Sequence, residues 1–273
     1  MNTVVFGSSF ANIFVPLVSN NLEITKLKGA TIKGILNKNK NYDIINKKLN
    51  NNNYYNGIFV FGNPDCDFYF FKKKYIDNID DKIIEKNILL NAAKYVKYVS
   101  TLKNIKNKYI CSVFPQNIIL EKDYRKVIEI YGVLDKETTK KVKRNELIYS
   151  NRIKRILNFN DILEKECKKY DIKFCNITKY LLNSKNILHK LYRHPLNKYN
   201  IHLNFDYVLI IYILKCFPFL ITNYVKAIEN IKKFNYDYIY DKYQEYNMGT
   251  NIKIEHLINV NKLEKLISKI DKS

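Results

Sequence analysis

The chain has 273 residues and a mass of 32.6 kDa, and 47% of it is hydrophobic, which is enough for a buried core and excludes disorder as its main state. Lys and Arg number 47 against 26 Asp and Glu, a net charge of +21, which points toward nucleic acid or another polyanion. The chain is also crowded with Lys, Asn, Ile and Tyr and holds 7 Gly, 5 Pro and no Trp. A/T-rich codons produce that skew without selection for any partner, so charge alone assigns no ligand.

Thr3 to Phe6 is a short β-branched and aromatic run that ends at Gly7, and Ser8, Ser9 and Asn12 open a segment with helical apolar spacing. The pattern predicts a strand, a tight turn and a helix. Leu22 to Leu27 predicts a second strand, closed by Gly29, and Ala30 to Leu36 a helix start. Asn37 to Asn56 is rich in Asn and Lys and reads as a surface loop or a frayed helix end. Ile58 to Phe61 is a third, fully apolar strand ending at Gly62. From Asp80 to Ile105, Ile83, Ile84, Ile88, Leu89, Ala92, Ala93, Val96 and Val99 recur at three and four, which predicts a long amphipathic helix. A fourth strand follows over Tyr109 to Phe114, a second long helix over Asn145 to Tyr170, a short strand over Ile172 to Cys175 and an apolar helix over Phe205 to Phe217.

Continuous apolar strands alternating with helices predict an α/β fold of three layers with a mostly parallel sheet. That domain is expected over 1–225, and 226–273, with apolar residues at helical spacing among Lys, Tyr and Asn, reads as a helical appendage. The apolar run from Tyr207 to Val225 has nearly the length of a membrane span, but Lys215 sits at its middle and Pro218 soon after. It therefore predicts a buried helix and no membrane span.

Five cysteines, Cys66, Cys111, Cys167, Cys175 and Cys216, are odd in number and widely spaced, with no Cys-x-x-Cys pair and no histidine at ligand spacing. They imply free thiols in a reducing, cytoplasmic setting and no zinc site. The first residues carry no basic region or small-residue cleavage site, so they do not read as a signal peptide. No Gly-x-Gly-x-x-Gly, phosphate-loop lysine or His-Glu-x-x-His motif occurs, so no cofactor and no metal are expected.

Three of the seven glycines, Gly7, Gly29 and Gly62, stand at the carboxyl ends of the first three predicted strands. Ligands of open α/β sheets bind at that edge, where glycine permits close backbone approach. Phe6-Gly7-Ser8-Ser9-Phe10-Ala11, Lys28-Gly29-Ala30-Thr31, Phe61-Gly62-Asn63-Pro64-Asp65-Cys66 and His202-Leu203-Asn204, in that order, resemble the four blocks of the SGNH or GDSL hydrolases. Val113-Phe114-Pro115, with Arg152, Phe159, Asn160, Leu163 and Cys167, is similar to the middle of one subgroup.

The resemblance covers residues 3 to 217 and implies a serine acyl hydrolase acting on small acyl esters, acetylated sugars among them. It implies Ser9 as nucleophile, His202 as base, and the backbone N–H groups of Ser9 and Gly29 as oxyanion donors, with Gly7 and Gly62 shaping the turns. Two positions depart from the family. Tyr199 stands where an aspartate precedes the histidine, and Pro64 where an asparagine completes the oxyanion hole. No Asp or Glu occurs from Ile172 to Phe205. Asn63 is then the expected substitute donor, and a backbone carbonyl or Asp65 the expected partner of the imidazole.

The alternative is an inert protein of this fold that binds nucleic acid or another acidic partner. Phe68-Tyr69-Phe70-Phe71 followed by Lys72-Lys73-Lys74, and Lys140-Lys141-Val142-Lys143-Arg144, mix basic with apolar or aromatic residues as single-strand platforms do.

Overall fold

The computed structural model describes residues 2–189, 199–203 and 207–223. The appendage expected over 226–273, His194, His256 and the Asn204 of the last block lie outside the described residues. Five strands, Thr3–Gly7 (β1), Leu22–Lys26 (β2), Tyr54–Val60 (β3), Ile105–Cys111 (β4) and Lys173–Cys175 (β5), form one parallel sheet in the order β2-β1-β3-β4-β5. The chain leaves β1 toward β2 on one side and then returns past β1 to β3 on the other. That reversal opens a crevice at the carboxyl end of β1, the position where this topology places ligands. Val4, Val5, Phe6, Ile58, Phe59 and Val60 are buried, as strands covered on both faces require.

The helices are Ile32–Leu36 (α1), Lys40–Asn51 (α2), Asn63–Cys66 (α3), Phe68–Tyr75 (α4), Asp81–Thr101 (α5), Glu121–Ile130 (α6), Lys136–Lys141 (α7), Arg144–Leu147 (α8), Tyr149–Lys169 (α9), Thr178–Leu181 (α10) and Tyr207–Cys216 (α11). Together with the sheet they make a three-layer α/β fold. The apolar run at 207–225 is divided at Phe217 into α11 and a 3₁₀ helix, Pro218–Asn223. Among the described residues no helix is long and apolar enough to cross a membrane.

Several elements differ from the sequence-based expectation. The segment after β1 is a 3₁₀ helix, Ser9–Leu17, with Pro16 inside it; proline lacks the N–H that a longer α-helix needs there. The Asn/Lys-rich stretch contains α2, whose N-cap Asn39 accepts from the N–H groups of Asn41 and Tyr42 while Ile45 and Leu49 are buried. Two buried apolar residues four apart were enough to seat a helix that composition alone conceals. Strand β4 begins at Ile105, four residues earlier than its apolar content suggests, because Ile105, Asn107 and Lys108 pair with β3 through backbone groups.

Below the carboxyl edge, buried polar side chains hold loops to helices. The Asn160 amide of α9 clamps Val113, accepting its N–H at 2.7 Å and donating to its carbonyl at 3.0 Å. Arg152, buried, donates to the carbonyls of Leu147 and Ile118 and stacks 3.7 Å over the Tyr124 ring. Asn160→Ala leaves the Val113 N–H buried without an acceptor, so the unfolding free energy should fall by about 2–4 kcal/mol. The urea midpoint of the variant against wild type, at unchanged slope, measures it.

Candidate active site

Gly7 ends β1 where the backbone is crowded: a Cβ there would lie 2.6 Å from the Ala11 Cβ and 2.8 Å from the Val60 carbonyl oxygen. Only glycine lets the following turn fold back this closely. Ser8 is extended, donates its N–H to the Val60 carbonyl and accepts from Ala11 N–H. Ser9 is thereby the first residue of the 3₁₀ helix and partly exposed at the crevice.

The chain segment that returns from α10 brings His202 to the same place. His202 Nε2 and Ser9 Oγ, 193 residues apart, lie at 2.8 Å. On the other side of the ring, Nδ1 is 2.9 Å from Asn200 Oδ1, and the His202 backbone N–H donates to that same Oδ1, also at 2.9 Å. A backbone N–H can only donate, so the Asn200 atom facing it is the amide oxygen. The ring nitrogen facing that oxygen therefore carries the proton, and Nε2 is left to accept the Ser9 hydroxyl. Phe10 packs against the imidazole with ring centroids 5.0 Å apart. Asn117, buried in the turn after β4, donates its amide to the Asn200 carbonyl at 3.1 Å and its N–H to the Ile201 carbonyl.

Asn200 is not legible as a site residue from the family pattern, which places an acid near the histidine. Its signal is the Asn-x-His spacing, since an asparagine side chain readily accepts the N–H two residues on. It corrects the expectation that a backbone carbonyl or Asp65 orients the ring. Tyr199, at the family's aspartate position, is partly buried against the core.

The other block residues lie on the loops beside β1. Gly29, at φ +68, occupies the third position of the Leu27–Ala30 turn, closed by Ala30 N–H to the Leu27 carbonyl. A Cβ there meets nothing within 4 Å, so conformation rather than space calls for glycine. Gly62 (φ +117) is the N-cap of α3, and a Cβ on it would lie 2.6 Å from Val113 Cγ2. Asn63 is buried and donates its amide to the Phe114 carbonyl at 2.8 Å, which leaves one amide N–H of that side chain. Pro64 offers no donor.

Asp65 does not partner His202. Its two oxygens accept the N–H groups of Ile32 and Lys33 at 2.9 and 3.2 Å, capping α1 from 33 residues away. This fixes the end of the loop that carries Gly29. Of the other histidines, His189 is exposed and its backbone N–H is bonded to the Leu181 carbonyl.

Several members of the two basic clusters are engaged within the fold. Phe70 and Phe71 belong to the core, Lys73 pairs with Asp77, and Lys74 bridges Asp81 and the buried Glu146. Lys140 pairs with Glu137 and Arg144 with Glu121. Phe70 and Phe71 are thus unavailable for stacking, whereas Phe68 and Tyr69 are half-buried and Lys72 is exposed. Among the described residues no group of three or more His, Cys, Asp or Glu is arranged to hold a metal ion.

No family model matches the chain, and no curated protein matches it. Solved structures do. A protein from Bacteroides fragilis described as an acylhydrolase aligns at 14% identity over 81% of this chain and 86% of its own, with a TM-score of 0.50. A GDSL-like lipase from Bacteroides thetaiotaomicron aligns at 14% identity over 78% and 85%, TM-score 0.47. An acetyl xylan esterase aligns at 12% identity over 85% and 98%, TM-score 0.42. The chain has the fold of the SGNH/GDSL-type hydrolases.

Burial raises the Asp65 carboxyl to about 6, against the lowering effect of the Ile32 and Lys33 N–H groups and the Lys33 charge. A carboxyl raised above its unfolded value favours the folded state in the protonated form, so this contribution is full below pH ~4 and lost as pH rises through about 6. Wild type should therefore lose about 2–3 kcal/mol of stability between pH 4 and pH 7 that Asp65→Asn does not lose. Paired urea titrations of the two proteins at both pH values give the difference.

Proposed function

We propose that this protein is a serine ester hydrolase in which Ser9 is the nucleophile, His202 the general base and Asn200 the residue that orients the imidazole. The observation that supports the reading most directly is the 2.8 Å contact between Ser9 Oγ and a His202 Nε2 whose tautomer is fixed for accepting a proton. His202 takes the Ser9 proton as Oγ attacks the ester carbonyl, and returns it to the departing alkoxide. Water, activated by the same imidazole, then releases the acid from the acyl-enzyme.

The charge that develops on the carbonyl oxygen needs donors fixed in advance. Ser9 N–H, at the first position of the 3₁₀ helix, has no intrahelical acceptor. Gly29 N–H, from the neighbouring loop, is the second donor, and the remaining amide N–H of Asn63 the third. With Pro64 in the family's asparagine place, the oxyanion hole rests mainly on backbone groups. The substrate class is a small acyl ester; acetylated sugars are the class that the family resemblance suggests.

The triad is neutral. Asn200 holds the ring in place but supplies no anion to stabilise the imidazolium, so turnover should be slower than with a carboxylate. A fluorophosphonate probe should label Ser9, and Ser9→Ala or His202→Ala should each lower p-nitrophenyl acetate hydrolysis by about 10²-fold or more. Asn200→Ala should reduce kcat by about tenfold or more with little change in KM. Asn200→Asp should retain activity and move the acid limb of the kcat/KM profile upward, because an anion beside the ring favours its charged form. An unlabelled Ser9, together with Ser9→Ala activity equal to wild type on every ester tried, overturns the reading.

A further inference from the structure

All five cysteines are free thiols, yet two of them are not isolated. Cys175 ends β5 and Cys216 ends α11, 41 residues later, and the Cys175 thiol lies 3.7 Å from the Cys216 carbonyl oxygen. The Cys175 thiol thus points at the residue that carries the second sulfur. Cys111 stands beside Cys175 in the β4–β5 register and is fully buried. The rings above them belong to the same packing: Tyr109, two residues before Cys111, meets Phe217 at 5.6 Å, and Tyr180 stacks on Tyr212 of α11 at 4.5 Å.

The pair is asymmetric. Cys216 is partly exposed, whereas Cys175 is buried. The hydrogen bond from Cys175 and the Lys179 charge lower the Cys216 thiol below its ordinary range, against the raising effect of burial. Cys175 is raised by that hydrogen bond and by burial. The exposed member is thus the nucleophile and the buried member the donor beside it.

We propose that Cys175 and Cys216 form an oxidation site at which a hydroperoxide converts two thiols to an intramolecular disulfide, fastening the end of α11 to the sheet. The Cys216 thiolate attacks the outer peroxide oxygen, the O–O bond breaks, and the alcohol or water leaves with the proton that Cys216 gave up. Cys216 is then a sulfenic acid. The Cys175 sulfur attacks Cys216 Sγ, the S–O bond breaks, and the leaving hydroxide takes the Cys175 proton as water. The two electrons lost by the sulfurs are those that reduce the peroxide.

The bridge closes a 41-residue loop that contains His202. Cys175 Sγ reaches the Cys216 backbone in the same arrangement in which His202 faces Ser9, so closure needs no separation of that pair. The consequence is a stabilised histidine-bearing segment, and the test does not depend on the hydrolase reading. The reduced full-length protein is treated with hydrogen peroxide, alkylated and digested. A linked Cys175–Cys216 peptide, lighter by two hydrogens, is expected, with two fewer alkylated thiols and a Tm higher by about 5 °C or more, reversed by dithiothreitol. Cys175→Ser should stop at a sulfenic acid on Cys216 that dimedone traps, and Cys216→Ser, at the more exposed position, should abolish the bridge. A Cys111–Cys175 link, five alkylatable thiols after peroxide, or oxidation of Cys175 undiminished in Cys216→Ser overturns the proposal.

Discussion

The Asn200 amide oxygen accepts two hydrogen bonds, one from the backbone N–H of His202 and one from its ring. Because the first donor cannot reverse its role, the amide cannot flip, and because the amide cannot flip, the imidazole cannot change tautomer. On the proposed reading, the state of the base is set by one Asx turn rather than by a charge. Replacing the aspartate of a serine-protease triad by asparagine keeps the geometry but installs the wrong tautomer, lowering turnover about 10⁴-fold. Here the tautomer is the productive one. What the neutral partner forgoes is the electrostatic stabilisation of the imidazolium, a smaller loss.

A neutral partner also suits its surroundings. Asn200 lies on a loop held by Asn117 and packed beside Phe10, with no acidic residue from Ile172 to Phe205. An aspartate in that place would need donors beyond the ring and one backbone N–H to offset its desolvation. Asn200 needs none of these. The same economy marks Asp65, the one block carboxylate, whose two oxygens take two backbone N–H groups at the start of α1 and whose burial still raises it toward the neutral form.

Much of this was legible in the residues. Gly7, Gly29 and Gly62 at strand ends gave the carboxyl edge of the sheet, since each marks a turn or close approach that side chains would prevent. Continuous apolar strands gave the parallel sheet, and apolar residues at three and four gave α5; the second long helix, expected over Asn145 to Tyr170, is divided at Ile148 into α8 and α9. Ser9 and His202, chosen by block order, are brought together. The parts not legible are those in which polar atoms do the structural work. Helix α2 hides behind Asn and Lys because only Ile45 and Leu49 anchor it, and the start of β4 hides behind Lys106 to Lys108 because backbone pairing is indifferent to side chains. Asn200 does not stand out in a chain rich in asparagine, and its contact with the imidazole depends on which atom faces which donor.

The loops at the carboxyl edge are joined less by secondary structure than by single side chains, and the links close on themselves. Leu27 N–H on the Gly7 carbonyl ties the end of β2 to β1. Asp65 ties α3 to the start of α1, and Asn63, in the same short helix, ties it to Phe114 after β4. Three residues on, Asn117 holds Asn200, which holds His202, which meets Ser9 after β1. Each link is a buried or part-buried hydrogen bond whose loss leaves a partner unsatisfied, and each also limits the freedom of the next. A ring of this kind positions Ser9, Gly29, Asn63 and His202 with respect to one another although no two of them share an element of regular structure. It also accounts for a site that keeps its geometry with Tyr199 and Pro64 in the family's acid and donor places: the ring needs neither of those side chains to close.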